Sequence, residues 1–220
     1  MVSLLTWNIW FDEQNILQRT LQLIEEIKQL NPDIIALQEV TEPISHILKR
    51  KLNYNFAGFP LEQTYDTLLL SKYEIQDYNR ILLPDSKMGR NLLLTNFTTL
   101  PFQVGTFHLE SVFDKTSYKK INQLNYCEEI TSENAILMGD TNFTTQYPKT
   151  NLKDVFQTIS EPEYYKFTYD GKTNKNIKSK RQSRLDRIYT KKDYKIQEFY
   201  LTGTELQQSD HYGVFTKLKI

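Results

Sequence analysis

Apolar and polar positions change period several times along the chain, and each change marks an element. Val2 to Asn8 reads as a strand running into a polar turn. Ile16, Leu17, Thr20, Leu21, Leu23, Ile24, Ile27 and Leu30 then form a stripe with the 3.6-residue period of a helix. Asn31-Pro32 ends it, because the residue before a proline is driven out of the helical region. Asp33 to Gln38 is a short, nearly continuous apolar run, suited to a strand buried on both faces and joined to the first by a helical crossover. The opening is therefore β-α-β. Thr41 stands at a cap position and Pro43 early in a second, shorter helix whose inner face is Ile44, Ile47 and Leu48.

Beyond Asn53 the pattern becomes strand-like over residues 54–59, 65–71, 74–83, 91–97 and 102–108, with Pro, Asp, Ser and Gly signals between, and predicts antiparallel meanders. A helix is predicted over residues 115–131, with Cys127 in its core. Ala135 to Met138 is another buried strand, ending at Gly139-Asp140, and three final strands fit residues 186–190, 196–201 and 212–219. The mixture predicts an α/β fold, a four-layered sandwich of two packed mixed β-sheets flanked by helices.

Composition narrows the class. At 220 residues the chain is long enough for one substantial core, so residues 1–220 are expected to form a single domain. Seven glycines, seven prolines and 13% aromatics exclude disordered and collagenous chains. One cysteine, no 18-residue apolar run and no basic-then-apolar start predict a soluble intracellular protein, cytoplasmic or nuclear, with no membrane partner; a monomer is the expected state, though none of these features sets it. Lys plus Arg and Asp plus Glu are each 27, so any electrostatic preference must be local. One local bias exists: residues 172–192 carry nine basic side chains against a single acid, Asp186.

Five polar clusters fall at or just beyond the ends of predicted strands: Thr6-Trp7-Asn8, Gln38-Glu39-Val40, His108-Leu109-Glu110-Ser111, Gly139-Asp140-Thr141-Asn142 and Ser209-Asp210-His211. Strand ends hold side chains rigidly while the following loops leave room for a ligand. Taken singly each cluster is weak, since a Glu after an apolar strand is usually just an exposed end. As a set they place two of the three histidines beside Glu39, Asp140 and Asp210; His46 lies on a plain amphipathic helix and takes no role. Hard oxygen donors without thiolate suit Mg²⁺ or Mn²⁺. That donor set with neighbouring histidines fits attack of water on a phosphoryl group.

The order Thr6-Trp-Asn, Gln38-Glu, His108-Leu, Gly139-Asp-x-Asn142, Leu185-Asp186 and Ser209-Asp-His211 resembles the endonuclease/exonuclease/phosphatase superfamily from end to end. Met88-Gly-Arg-Asn-Leu92, His108-Leu-Glu-Ser111, Thr168-Tyr-Asp170, Arg184-Leu-Asp-Arg-Ile188 and Ser209-Asp-His-Tyr-Gly213 are similar to its tyrosyl-DNA phosphodiesterase 2 branch. The resemblance implies a bare catalytic domain that hydrolyses 5′-phosphotyrosyl linkages in DNA, with RNA left open, for DNA repair. It implies that Glu39 is the main Mg²⁺ ligand, with Asn8 and Asp210 completing the shell, and that Asp140 activates the attacking water. His211 held by Asp186 would act with Asn142 and His108 on the phosphoryl oxygens. Tyr169 would wall the substrate cleft. Trp7, Arg90, Ser111, Lys180, Arg181, Arg184 and Arg187 become substrate-binding candidates.

Two positions depart from the pattern: Trp10 stands where an acid is expected, and Thr144 where Arg is familiar, with Arg187 or Arg90 as compensating cations. The substrate alternatives are abasic DNA, a phosphoinositide, a phosphorylated sphingolipid or a poly(A) tail. A catalytically dead nucleic-acid-binding module is the non-enzymatic alternative.

Overall fold

A computed structural model of the chain describes residues 1–111, 118–144, 149–159 and 166–220. In chain order the elements are β1 (Val2–Asn8), α1 (Ile16–Leu30), β2 (Ile34–Thr41), α2 (Glu42–Lys51), β3 (Asn55–Ala57), β4 (Tyr65–Ser71), β5 (Ile75–Leu82), β6 (Asn91–Phe97) and β7 (Val104–His108). There follow α3 (Tyr118–Ile130), β8 (Ile136–Asp140), β9 (Lys153–Asp154) with a 3-10 turn over Val155–Thr158, β10 (Tyr169–Asp170), β11 (Gln182–Ser183), β12 (Asp186–Thr190), β13 (Lys195–Thr202) and β14 (Gly213–Lys219). The expected start of the third helix at residue 115 lies outside the described residues.

Local chemistry explains the helix ends. Asn31 adopts the left-handed conformation and donates its N–H to Ile27 O (2.8 Å), closing α1 just before Pro32. In α2, Glu42 sits in the first turn and Lys49, Arg50 and Lys51 in the last, each sign matched to the helix dipole. Thr41 occupies the cap position as expected, but its hydroxyl makes no capping hydrogen bond.

Among the described residues the strands form two six-stranded sheets, ordered β13-β14-β1-β2-β4-β3 and β5-β6-β7-β8-β12-β9, and a small β10-β11 ribbon. Each large sheet contains one parallel pair, β1 with β2 and β7 with β8, and α1 makes the first crossover. The expected meander is real only over β5, β6 and β7; β3 and β4 belong to the other sheet, so the chain changes sheet between β4 and β5.

Alternation along the strands creates the layers. In β1, Val2 and Leu4 enter a core shared with Leu93, Val104, Ile136, Met138 and Ile188 of the second sheet. Leu5 and Trp7 face the other way, onto Leu23, Ile24 and Ile27 of α1. On the far side, Leu92, Phe107 and Leu137 pack against Leu124 and Cys127 of α3. The result is helix, sheet, sheet, helix, the predicted sandwich. No helix among the described residues is long and apolar enough to cross a membrane.

Candidate active site

Strand register assembles the site. His108 pairs with Asp140 across β7 and β8, and Asp140 with Asp186 across β8 and β12, so three polar side chains stand in one row at a single end of the second sheet. From the first sheet, Asn8 ends β1 on the inward-facing set of positions. Glu39 would point outward if β2 were regular. Instead the β2–β4 register slips between Leu37 and Val40, and Glu39 takes φ 59°, which turns its carboxylate toward the row. The loop before β14 supplies Ser209, Asp210 and His211. Ser209 Oγ donates to Asn8 O (2.7 Å) and accepts from His211 N (3.0 Å), tying this loop to the end of β1.

Asp140 Oδ2 is the hub. It accepts from Asn8 Nδ2 at 3.0 Å and lies 3.4 Å from His108 Nε2 and 4.0 Å from His211 Nε2. Its other oxygen accepts from Asn142 N at 2.7 Å. Two imidazoles thus converge on one carboxylate oxygen, but in opposite charge states. Burial pushes His108 down to about 3, and the Arg90 guanidinium adds to the effect. That guanidinium can only donate, so at 2.9 Å it requires a bare Nδ1 and leaves the ring's one proton on Nε2. His211 is the reverse case. Burial alone would lower it, yet Asp186, 2.8 Å from Nδ1 and wholly buried, with Asp210 and Asp140 beyond, holds it well above the ordinary histidine value. His211 is an imidazolium at neutral pH, with Nε2 directed at the hub.

Glu39 is raised chiefly by burial, with the like charge of Asp210 adding; Asp210 is raised by burial, with Asp140 adding. Buried carboxylates that repel one another are the donor set a hard divalent cation would neutralise. Ligand atoms of Asp140, Asp186 and His211 also lie within 4.8 Å of one another. His211 Nδ1 already faces Asp186 at 2.8 Å, so these two form a hydrogen-bonded relay and that nitrogen is not free for a cation, while His211 Nε2 stands 4.0 Å from Asp140. Asn8 stands as a donor: Nδ2 bridges Glu39 Oε1 (3.1 Å) and Asp140, while Oδ1 accepts from Trp10 N (3.1 Å). It braces the two carboxylates through its nitrogen, while the oxygen expected for a cation is taken up by the Trp10 N–H.

Several expected substrate contacts need correction. Trp7 is fully buried, its indole N–H donating to His211 O (3.0 Å), so it supports the site from beneath α1 and presents no exposed surface. Arg187 is wholly buried against Asp154 (2.5 Å), and Arg184 is buried over the Phe156 ring at 3.7 Å. Arg187 alternates with Asp186 along β12, and Asp154 of the short β9 segment is the internal counter-ion beside both arginines. Neither they nor the polar-to-solvent Thr144 supply a phosphate cation. Lys191 is also withdrawn, donating to Glu128 O of α3 and to Thr131 O just past its end.

Arg90 is buried behind His108 and reaches Ser111 Oγ at 3.3 Å. Asn142 spends one amide hydrogen on Leu109 O (3.1 Å), leaving the other for a ligand. Tyr169 is half-buried with its ring edge-on to His211 at 5.3 Å, and Lys180 and Arg181 are exposed in the loop beyond it. His46 is exposed on α2, away from these groups. Two further residues support the site: Lys120 had no sequence signal, and Thr168 was visible only as part of the Thr168-Tyr-Asp170 motif. Lys120 of α3 donates to Asn142 O (2.8 Å) within the field of Asp140. Thr168 Oγ1 accepts the N–H groups of Leu185 and Asp186, both at 3.0 Å, fixing the relay carboxylate.

A sandwich of two mixed sheets with acids and histidines gathered at one end defines a class, and the chain belongs to the endonuclease/exonuclease/phosphatase family, whose model matches residues 5–211. Within that family it is similar to tyrosyl-DNA phosphodiesterase 2 of Xenopus tropicalis, 29% identical over 99% of this chain and 66% of the relative. It is also similar to that of Homo sapiens, 30% identical over 86% of this chain and 57% of the relative. The crystal structure of truncated Caenorhabditis elegans TDP2 superimposes with a TM-score of 0.85 at 25% identity, covering 100% of this chain and 97% of that one. The chain spans about two thirds or less of the length of these curated relatives.

Proposed function

We propose that this chain is a catalytic domain that hydrolyses the phosphodiester between a tyrosine side chain and the 5′ end of DNA, releasing a 5′-phosphate, with a bound Mg²⁺ ion. The observation that carries the proposal is the convergence of Asn8, His108 and His211 on Asp140 beside the Glu39–Asp210 pair. The names of the relatives supply the tyrosyl-DNA substrate; the geometry supplies the reaction type.

Glu39 and Asp210 would hold the ion, whose contribution is to neutralise charge on the phosphoryl oxygens. The remaining work falls to the chain's own groups. Asp140 accepts hydrogen bonds, so a water donating to it is oriented with its lone pair free to attack phosphorus. His211, an imidazolium held by Asp186, donates from Nε2 to a phosphoryl oxygen. Neutral His108, its tautomer set by Arg90, donates from Nε2 on the adjacent side, and the free amide hydrogen of Asn142 adds a third donor. A phenolic leaving group, with a pKa of about 10, departs with little protonation, so no separate strong acid is needed. Tyr169 offers a ring face to a base, and Lys180 and Arg181 offer charge to the phosphate backbone. We read the domain as a monomer inside the cell, in keeping with its one, buried thiol at Cys127.

Incubation with a 5′-tyrosyl oligonucleotide and Mg²⁺ is expected to yield a 5′-phosphorylated strand. Chelator or Glu39→Ala should abolish the product. An intact, folded protein that releases no tyrosine from this substrate overturns the proposal.

A further inference from the structure

Trp10 occupies the position where the family pattern has an acid, and the structure gives its side chain another setting. Its backbone lies in the left-handed region at φ 61°, disfavoured for a bulky residue unless the surroundings enforce it. They do so here. Asn8 Oδ1 takes its N–H, and Arg19 donates to its carbonyl at 3.2 and 3.3 Å while stacking 4.6 Å from the indole centroid. The ring is thereby fixed as one wall of a cavity of about 490 Å³ between the start of α1 and the basic loop.

Gln14, Gln18 and Gln22 line the cavity at four-residue spacing, so the last two lie on one face of α1. Their side-chain amides make no intramolecular hydrogen bond among the described residues, and each offers both donors and an acceptor. Lys175 and Lys178 stand in the lining from the basic loop, the Lys175 ammonium donating to Leu206 O (3.2 Å), and Asp12 stands in it from the start of the chain. Arg19 also lines it, but its guanidinium is committed to the carbonyls of Ile9, Trp10, Asp12 and Gln208. An indole wall, several neutral hydrogen-bonding groups and two lysines beside one acid, Asp12, suit a flat ring with polar edges on a polyanionic chain, and not a bare phosphate. The segment that carries the Trp10 wall is tied to the candidate site, because the N–H groups of Trp10 and Phe11 donate to Asn8 and Glu39.

We infer that this cavity is a nucleobase subsite, which takes a base beyond the nucleotide bearing the attacked phosphate, stacks it on Trp10 and contacts its edge through the glutamine amides. The inference rests on the phosphodiesterase reading for its polymer. It assigns to Trp10 a specificity-determining role.

The chain reports on itself, since it has two tryptophans and Trp7 is buried. Titrating the protein with 5′-phosphorylated tetrathymidylate should quench tryptophan fluorescence. Trp10→Phe should remove most of that signal, and an abasic tetramer of equal charge should quench far less. In cleavage, Trp10→Ala should raise KM about tenfold for the 5′-p-nitrophenyl ester of tetrathymidylate. The same variant should leave kcat/KM for the ester of thymidine monophosphate within about twofold. Equal quenching by the abasic tetramer, no quenching at all, or equal loss on both esters overturns the subsite. If the unaltered protein cleaves neither ester, the phosphodiesterase reading fails, and the titration still decides the subsite. Gln18→Ala, on the exposed face of α1, supplies a second variant should Trp10→Ala not fold; it too should weaken only the tetranucleotide.

Discussion

Asp186→Asn isolates the charge on His211. The substitution keeps the volume and a hydrogen-bonding oxygen 2.8 Å from Nδ1, and removes only the carboxylate's charge from a site where Asp186 is wholly buried. Two unit charges centred about 4 Å apart at an effective dielectric of about 20 interact by about 4 kcal/mol, an upper figure for the lost support. If half to all of it is felt when phosphoryl charge develops, kcat falls roughly 30- to 1000-fold. The pH dependence has a definite sign. Asp186 holds the imidazole protonated above its ordinary value; without that charge the ring loses its proton as pH rises through neutrality. The defect should therefore be larger at about pH 8 than at about pH 6. Single-turnover cleavage of a 5′-tyrosyl oligonucleotide across that range, with the histidine ring protons followed by NMR, measures both quantities. A folded variant that loses less than about threefold at every pH, with His211 still protonated, would refute the relay.

Other consequences concern stability. Glu39→Gln removes one of two buried, mutually repelling acids, so the metal-free protein should melt higher by about 1 kcal/mol equivalent while losing activity; an unchanged or lower Tm counts against an unneutralised acid pair. Gly139→Ala should yield little folded protein, because φ is 153° and an added Cβ would sit 1.9 Å from Phe107 O, a backbone atom that cannot step aside; a variant with native Tm contradicts this geometry. For Asp33, burial alone would raise its pKa, but hydrogen bonds from the Ser3 amide and hydroxyl, with Lys72, bring it below the ordinary value. Its stabilisation is full above the unfolded-state pKa and fades as pH falls through the lower folded value. Asp33→Asn should therefore cost about 1–2 kcal/mol near neutrality in urea melts, and the gap to the unaltered protein should close in acid; a gap independent of pH contradicts it.

Much of this molecule was legible in its residue order. The period of the apolar stripe in residues 16–30 and the unbroken run in residues 34–37 announce a helix and a buried strand because helix and strand repeats are local properties. Acids and histidines just past apolar strands were legible for the same reason, and matching motif order joined them into one site. The two-residue strands β9, β10 and β11 were not, since segments so short carry no period.

Direction and charge were decided elsewhere. Trp7 reads like a site residue because Asn8 is its neighbour, yet strand alternation puts the two on opposite faces, and α1 covers the first. Arg184 and Arg187 read as cations for a polyanion until Asp154, some thirty residues earlier in the chain, is found beside them. Glu39 aims inward only because pairing with β4 slips, and His108 is neutral because the fold buries it, with Arg90 behind it. Periodicity, element type and the inventory of reactive groups are short-range, and the sequence alone determines them. Which way a side chain points, whether water reaches it and what proton it keeps depend on residues distant in the chain, and only the tertiary structure brings those together.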